Sequence, residues 1–115
     1  MDKRTKRLPL SEAEEQCMTV VWTGGGEMNL LSVRNQTNAR YKKNWAPQTV
    51  STFLARIREK GYVTAHRKGR YTFYEPIVTK EEYRTERCHG MLETLYDGDK
   101  EKMISDILWG DHTEE

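Results

Sequence analysis

A mostly α-helical fold with a small antiparallel β wing is predicted by three features of this sequence. The first is an apolar stripe, Val50, Phe53, Leu54 and Ile57, at helical spacing behind Pro47 and ahead of Gly61. The second is a pair of strand-like runs, Tyr62-Val63-Thr64-Ala65 and Tyr71-Thr72-Phe73-Tyr74, on either side of the basic stretch His66-Arg67-Lys68-Gly69-Arg70. The third is a pair of capping boxes, Ser11-Glu12-Ala13-Glu14 and Thr79-Lys80-Glu81-Glu82, each opening a helix. Helix, helix, helix and hairpin in this order make a winged helix-turn-helix over residues 8–78, and a helical hairpin follows it. The expected domains are therefore 1–78 and 79–115.

The amino-terminal elements follow from local chemistry. Residues 1–7 read as a basic arm. After the first capping box, Ala13, Cys17, Val20 and Val21 form a buried stripe, Trp22 lies near the helix end, and Gly24-Gly25-Gly26 stops it. Cys17 on that stripe reads as a small core residue rather than a reactive thiol. Over residues 28–41, Leu30, Val33, Thr37 and Tyr41 line a second helix, although its asparagines lower the intrinsic propensity.

The third helix, residues 47–60, carries the first functional signal. Pro47 suits the first helical position, where its missing N–H is not needed. Trp45 is placed to fold over Val50 as a hydrophobic staple, whereas Ala46 at the N-cap offers no oxygen to the helix amides. Opposite the apolar stripe lie Gln48, Thr52, Ala55 and Glu59, flanked by Thr49, Ser51 and Arg56. The amino-terminal part of this face is short, uncharged and able to hydrogen-bond, as a helix reading base edges requires. An ordinary surface helix would carry more Glu and Lys there.

The hairpin, residues 62–75, adds Arg67, Lys68 and Arg70 as expected phosphate contacts, although edge strands also carry such cations for solubility. Charge along the chain favours the DNA reading. The total is nearly balanced, 19 Lys and Arg against 18 Asp and Glu. Residues 40–70, however, hold nine basic side chains, Lys43 among them, and one acidic, whereas residues 71–115 hold five basic and twelve acidic. A compact cationic segment beside an acidic one is the footprint of a polyanion-binding face. Lys43, Gln48, Thr49, Ser51, Thr52, Arg56, Arg67, Lys68 and Arg70 form the expected DNA-contacting set.

After Pro76 the character changes. A helix opened by the second capping box places Tyr83, Cys88, Met91, Leu92 and Leu95 along its length, and Asp97-Gly98-Asp99 breaks it. A final short helix carries Met103, Ile104, Ile107 and Leu108, with Trp109 beside them. Two short helices leave much of this apolar surface uncovered, which marks an interface. A second copy of the chain is the expected partner, because two-fold homodimers are the commonest oligomers and DNA-reading modules gain affinity from two half-sites. Packing of this hairpin onto the winged domain is the competing reading.

Composition limits the alternatives. With 115 residues, 36% of them hydrophobic, one ordinary domain and a small appendage fit. No apolar run is long enough for membrane insertion and no signal peptide is evident, so a cytoplasmic location is expected. Cys17 and Cys88 form no CxxC pair and are expected to be reduced. His66, His89 and His112 show no metal-ligand spacing with the cysteines, and no nucleophile motif or carboxylate pair suggests catalysis; neither enzyme activity nor a cofactor is expected. A winged-helix module that binds protein instead of DNA is the main alternative function.

Leu10-Ser11-Glu12-Ala13-Glu14, Trp45-Ala46-Pro47-Gln48-Thr49-Val50, Lys60-Gly61-Tyr62-Val63 with Gly69-Arg70, and Thr79-Lys80-Glu81-Glu82-Tyr83 together resemble the penicillinase repressor family of BlaI/MecI type. The likeness covers nearly the whole chain in the same order. It implies a homodimeric winged-helix repressor of a palindromic operator that controls resistance or stress genes. It carries DNA contact over to Gln48, Thr49, Thr52 and Arg56 in the helix and to Arg67, Lys68 and Arg70 in the wing. It also implies a sensor-linked peptidase, since members that control β-lactam resistance are cut at an Asn-Phe bond in the dimerisation domain. Ala46 departs from the family's usual Ser, and the Gly24-Gly25-Gly26-Glu27 linker is unusually loose. The cysteine-rich tail of the copper-responsive relatives is missing, which argues against copper sensing.

Overall fold

The structure, a computed structural model, describes residues 7–110; the arm expected at residues 1–7 lies outside them apart from Arg7. Five helices and three strands follow in the order α1 (Glu12–Thr23), β1 (Met28–Asn29), α2 (Leu30–Tyr41), α3 (Pro47–Glu59), β2 (Val63–Lys68), β3 (Tyr71–Pro76), α4 (Lys80–Leu95) and α5 (Lys100–Trp109). They fall into two compact units that divide between Lys80 and Glu81.

In the first unit α1, α2 and α3 pack on one another and the sheet closes one side of the core. The expected capping box opens α1: the Glu14 amide donates to the Ser11 hydroxyl and the Ser11 amide to the Glu14 carboxylate. Cys17, Met18, Val20 and Val21 are buried on its inner face; Ala13, expected there, is only half-buried. Burial pushes the Cys17 thiol up to about 11, so it stays protonated and inert at neutral pH. Val33 and Thr37 from α2, Val50, Leu54 and Ile57 from α3, and Tyr62, Val63 and Tyr74 from the hairpin complete the core.

Two asparagines in and beside α2 serve the fold rather than weaken it. Asn29 caps the helix by accepting from the Ser32 amide. Asn38 clamps the following turn: its amide nitrogen donates to the Trp45 carbonyl and its amide oxygen accepts from the Trp45 N–H. Lys42 takes the left-handed conformation, φ 56°, that ends α2. Trp45 then meets the ring of Phe53 edge-on at 4.9 Å. Phe53 is accordingly half-buried rather than part of the deep core.

The helix α3 ends in a Schellman motif. The Tyr62 amide bonds the Ile57 carbonyl and the Gly61 amide the Arg58 carbonyl, with Gly61 at φ 88°. The side chains of Ile57 and Tyr62 are both fully buried beneath this closure. It sends the chain directly into β2. The sheet is antiparallel in the order β1-β3-β2, with Met28 opposite Tyr74 and Ala65 opposite Tyr74 from the other side. The strand β1 was not expected from the sequence.

The hairpin also differs from expectation at its tip. Ladder pairing continues to Lys68 opposite Tyr71, so His66, Arg67 and Lys68 belong to β2 and only Gly69-Arg70 form the turn. Gly69 at φ 65° supplies the positive φ that a two-residue hairpin turn needs.

In the second unit α4 runs from Lys80, directly after the expected capping residue Thr79. Asp97 and Gly98 both take positive φ, and Asp99 caps α5 through the Lys102 amide. Tyr96 at the end of α4 donates a 2.7 Å hydrogen bond to Asp106 of α5, which raises the phenol pKa. Among the described residues no helix is long and apolar enough to cross a membrane.

Candidate nucleic-acid interface

Helix α3 turns its apolar side into the core, which leaves Gln48, Thr52, Ala55, Arg56 and Glu59 exposed and Thr49 and Ser51 half-buried. Ala46 gives the helix no side-chain cap; Pro47 has no N–H and the Thr49 amide bonds the Ala46 carbonyl at 3.0 Å, so the Gln48 amide is what the first turn offers to an acceptor from outside. The Thr52 hydroxyl donates back to the Gln48 carbonyl at 3.1 Å, which leaves its oxygen lone pairs outward. Lys43, in the turn before α3, stands 5.4 Å from the centre of the Trp45 ring. A cation–π contact of this kind holds the ammonium near the helix entrance while leaving it solvated.

In the wing, strand alternation puts Arg67 and Lys68 on opposite faces of the hairpin. Arg67 and Arg70 are exposed. Lys68 is engaged: it pairs with the Glu27 carboxylate and lies 5.1 Å from the Phe73 ring. The same carboxylate accepts from or pairs with His66 Nε2 at 2.8 Å. The Lys68 ammonium, then His66, hold the Glu27 pKa below its ordinary value. The three cations expected at the tip are therefore distributed, with Arg67 and Arg70 uncommitted among the described residues and Lys68 tied to the segment before β1.

Lys60 leaves the exposed cationic surface in a similar way. Its ammonium bonds Glu14 at 2.7 Å and the Pro9 carbonyl at 3.0 Å. Glu14 is 3% exposed. Burial opposes its charge, but the bonds from Lys60 and the Ser11 amide, with the field of Arg56, outweigh that and lower its pKa. The sequence reading identified Glu14 as a capping residue and missed its second role; it also missed Glu27 as the anchor of the wing and Asn38 as the clamp of the turn. Each of these contacts joins residues whose relation appears only after folding, apart from the 7-residue reach of Asn38.

In the second unit Tyr83 is already buried within the single chain. Met91, Leu92 and Met103 are half-buried, and Cys88, Leu95, Ile104, Ile107 and Leu108 are exposed, as is Trp109 at 77%.

The penicillinase repressor family model matches residues 10–115. The penicillinase repressor of Bacillus licheniformis is 29% identical over 107 residues, covering 92% of this chain and 81% of that protein. The methicillin resistance regulatory protein MecI of Staphylococcus aureus is 21% identical over 110 residues, 94% of this chain and 84% of the relative. Among solved structures, the DNA-binding domain of the repressor BlaI is similar at a TM-score of 0.56 and 30% identity, over 69% of this chain and 94% of that one. The monomeric B. licheniformis BlaI in complex with the blaP half-operator gives 0.54 and 29% identity, over 68% and 92%. A match across nearly the whole length, with the same winged domain, settles the assignment: the chain belongs to the penicillinase repressor family, a family of transcriptional repressors and not of enzymes.

Proposed function

We propose that this DNA-binding repressor acts as a cytoplasmic homodimer on a two-fold symmetric operator, with α3 in the major groove and the β2–β3 wing along the adjacent phosphates. The observation that carries this reading is the uncharged, hydrogen-bonding amino-terminal face of α3, bordered by Lys43 and Arg56 on the same unit as the uncommitted Arg67 and Arg70. Gln48, Thr49, Ser51 and Thr52 are the base-reading candidates, and the uncapped helix entrance suits a phosphate. That a related BlaI has been solved with a half-operator supports operator DNA as the ligand. The exposed apolar residues of α4 and α5, Leu95 and Ile107 above all, form the proposed surface for the second copy. Resistance genes are the regulatory target that the relatives suggest.

The test separates specificity from affinity. Gln48→Ala and Thr52→Ala each remove a group that can meet a base edge, so each costs about 1–3 kcal/mol on operator DNA and little on random DNA. Arg67→Ala and Arg70→Ala weaken both DNAs alike and lower the salt slope by about one unit each. Fluorescence anisotropy over a salt series measures both effects. Equal losses from all four changes on both DNAs would overturn the assignment of reading helix and wing, and binding without salt dependence would favour a protein-binding module instead.

A further inference from the structure

On the solvent face of the sheet three strands converge on one spot. Glu27 immediately precedes β1, Glu75 lies in the central strand β3, and His66 lies in β2. A side-chain nitrogen of His66 and a carboxylate oxygen from each glutamate all lie within 4.8 Å of one another. We propose that these three residues form a binding site for a first-row divalent cation, zinc foremost.

The register explains why the ligands meet. Met28 pairs with Tyr74 at the end of the β1–β3 ladder, so Glu27, one position beyond it, comes beside Glu75. Thr64 pairs with Glu75, which makes His66 the diagonal neighbour of Glu75 on the same face. Two carboxylates directly opposed across strands repel each other. Lys68 and His66 both serve Glu27 and account for its presence as an anchor of the wing. They do not account for a second carboxylate brought to the same point. A cation held between the two glutamates does.

The ligand set also selects the ion. One imidazole nitrogen and two carboxylate oxygens suit zinc and its first-row neighbours, with open positions for water. Calcium and magnesium prefer oxygen alone, and the nitrogen discriminates against them. Ligands bound at about 2.0–2.2 Å around one ion stand roughly 3.3–4.4 Å apart, so an ion replaces the 2.8 Å hydrogen bond between His66 and Glu27 and draws in the wider edges of the cluster. The Lys68 ammonium on the outer oxygen of Glu27 is then an outer partner that orients the ligand. All three ligands are partly solvent-exposed, the His66 side chain at 39% and the Glu27 side chain at 30%, so an ion can enter without unfolding.

The experiment uses the full chain, stripped of metal by a chelator and free of DNA, so its outcome is independent of operator binding. Cobalt titration followed by visible absorption, and zinc competition against a chromophoric chelator, are expected to show one ion per chain. His66→Ala and Glu75→Gln, each checked for an unchanged circular dichroism spectrum, lower zinc affinity by at least about tenfold. Glu75→Gln is a conservative change at an exposed position and keeps the test valid should His66→Ala disturb the hairpin. A His89→Ala variant, altered only in α4, retains the full affinity. Absence of zinc binding by the unaltered chain, full affinity in His66→Ala and Glu75→Gln, or loss in His89→Ala would each overturn the proposal.

Discussion

Glu14 is buried yet stays charged, because Lys60 and the Ser11 amide supply the hydrogen bonds that water would otherwise give. Its folded pKa lies below the ordinary value of 4.5. Stability from such a group is complete above the unfolded pKa and is lost as pH falls through the lowered folded value. Glu14→Gln is therefore expected to cost about 1–3 kcal/mol near neutral pH, with the difference shrinking below about pH 4.5 as the unaltered carboxyl itself protonates. Urea denaturation across a pH series measures it; a constant difference down to acid pH would show that the charge has no role. Half of this residue's work was visible in the sequence, since Ser11 and Glu14 stand at capping-box spacing. The other half was not, because Lys60 lies 46 residues away and reaches Glu14 only once α1 and α3 have packed.

Helix α3 was readable because its signals are local: Pro47 at its start, four apolar residues at helical spacing, and Gly61 at its end. Ala46 was expected to leave the helix uncapped, and it does. Ala46→Ser is expected to add about 0.5–2 kcal/mol of stability by giving the first turn an acceptor, read as a higher urea midpoint with unchanged slope. No gain in midpoint would mean that the new hydroxyl does not reach the helix amides. The strand β1 could not be read in the same way. It is two residues long and exists only because Met28 and Asn29 pair with Tyr74 and Phe73 of β3. The asparagines of α2 misled for a related reason. Propensity counts them as weak helix formers, whereas Asn29 sits at a cap and Asn38 spends its amide on the backbone of Trp45.

For the molecule as a whole, the cationic character of residues 40–70 was legible as a sum. Its reduction by the Lys60–Glu14 and Lys68–Glu27 pairs was not, because the acidic partners come from residues before that segment. The apolar residues of α4 and α5 were legible as well, and Leu95, Ile107 and Leu108 remain 60% or more exposed in the single chain. Leu95→Asp is therefore expected to leave the winged unit folded but shift sedimentation from dimer to monomer, and to weaken full-palindrome binding about a hundredfold while sparing a half-site. A monomeric unaltered chain at micromolar concentration would remove the proposed dimer. Relief of repression is a separate matter. No Asn follows Asn44 and no Phe follows Phe73, so an Asn-Phe bond is absent from the carboxy-terminal unit. The comparable stretch, Lys102-Met103-Ile104-Ser105, lies inside α5, where a peptidase needs local unfolding to gain access. The repressor is expected to be cut elsewhere or released uncut. Immunoblots before and after a cell-wall antibiotic check this, and a fragment ending near residue 102 or 103 would contradict it.

The two-residue turn at Gly69-Arg70 has a consequence for how the wing can change length. Because successive strand residues point to opposite faces, one residue inserted into β2 alone would exchange the faces of every residue beyond it. An insertion between Ala65 and His66 would carry His66 and Lys68 away from Glu27 and bring Arg67 round in their place. Lengthening that preserves both faces has to add two residues to each strand, with Gly kept at the first turn position. The Gly24-Gly25-Gly26 linker has no ladder to disturb and can absorb single insertions. Natural length variation among relatives of this chain should therefore fall in even steps across the wing and in any step across the linker.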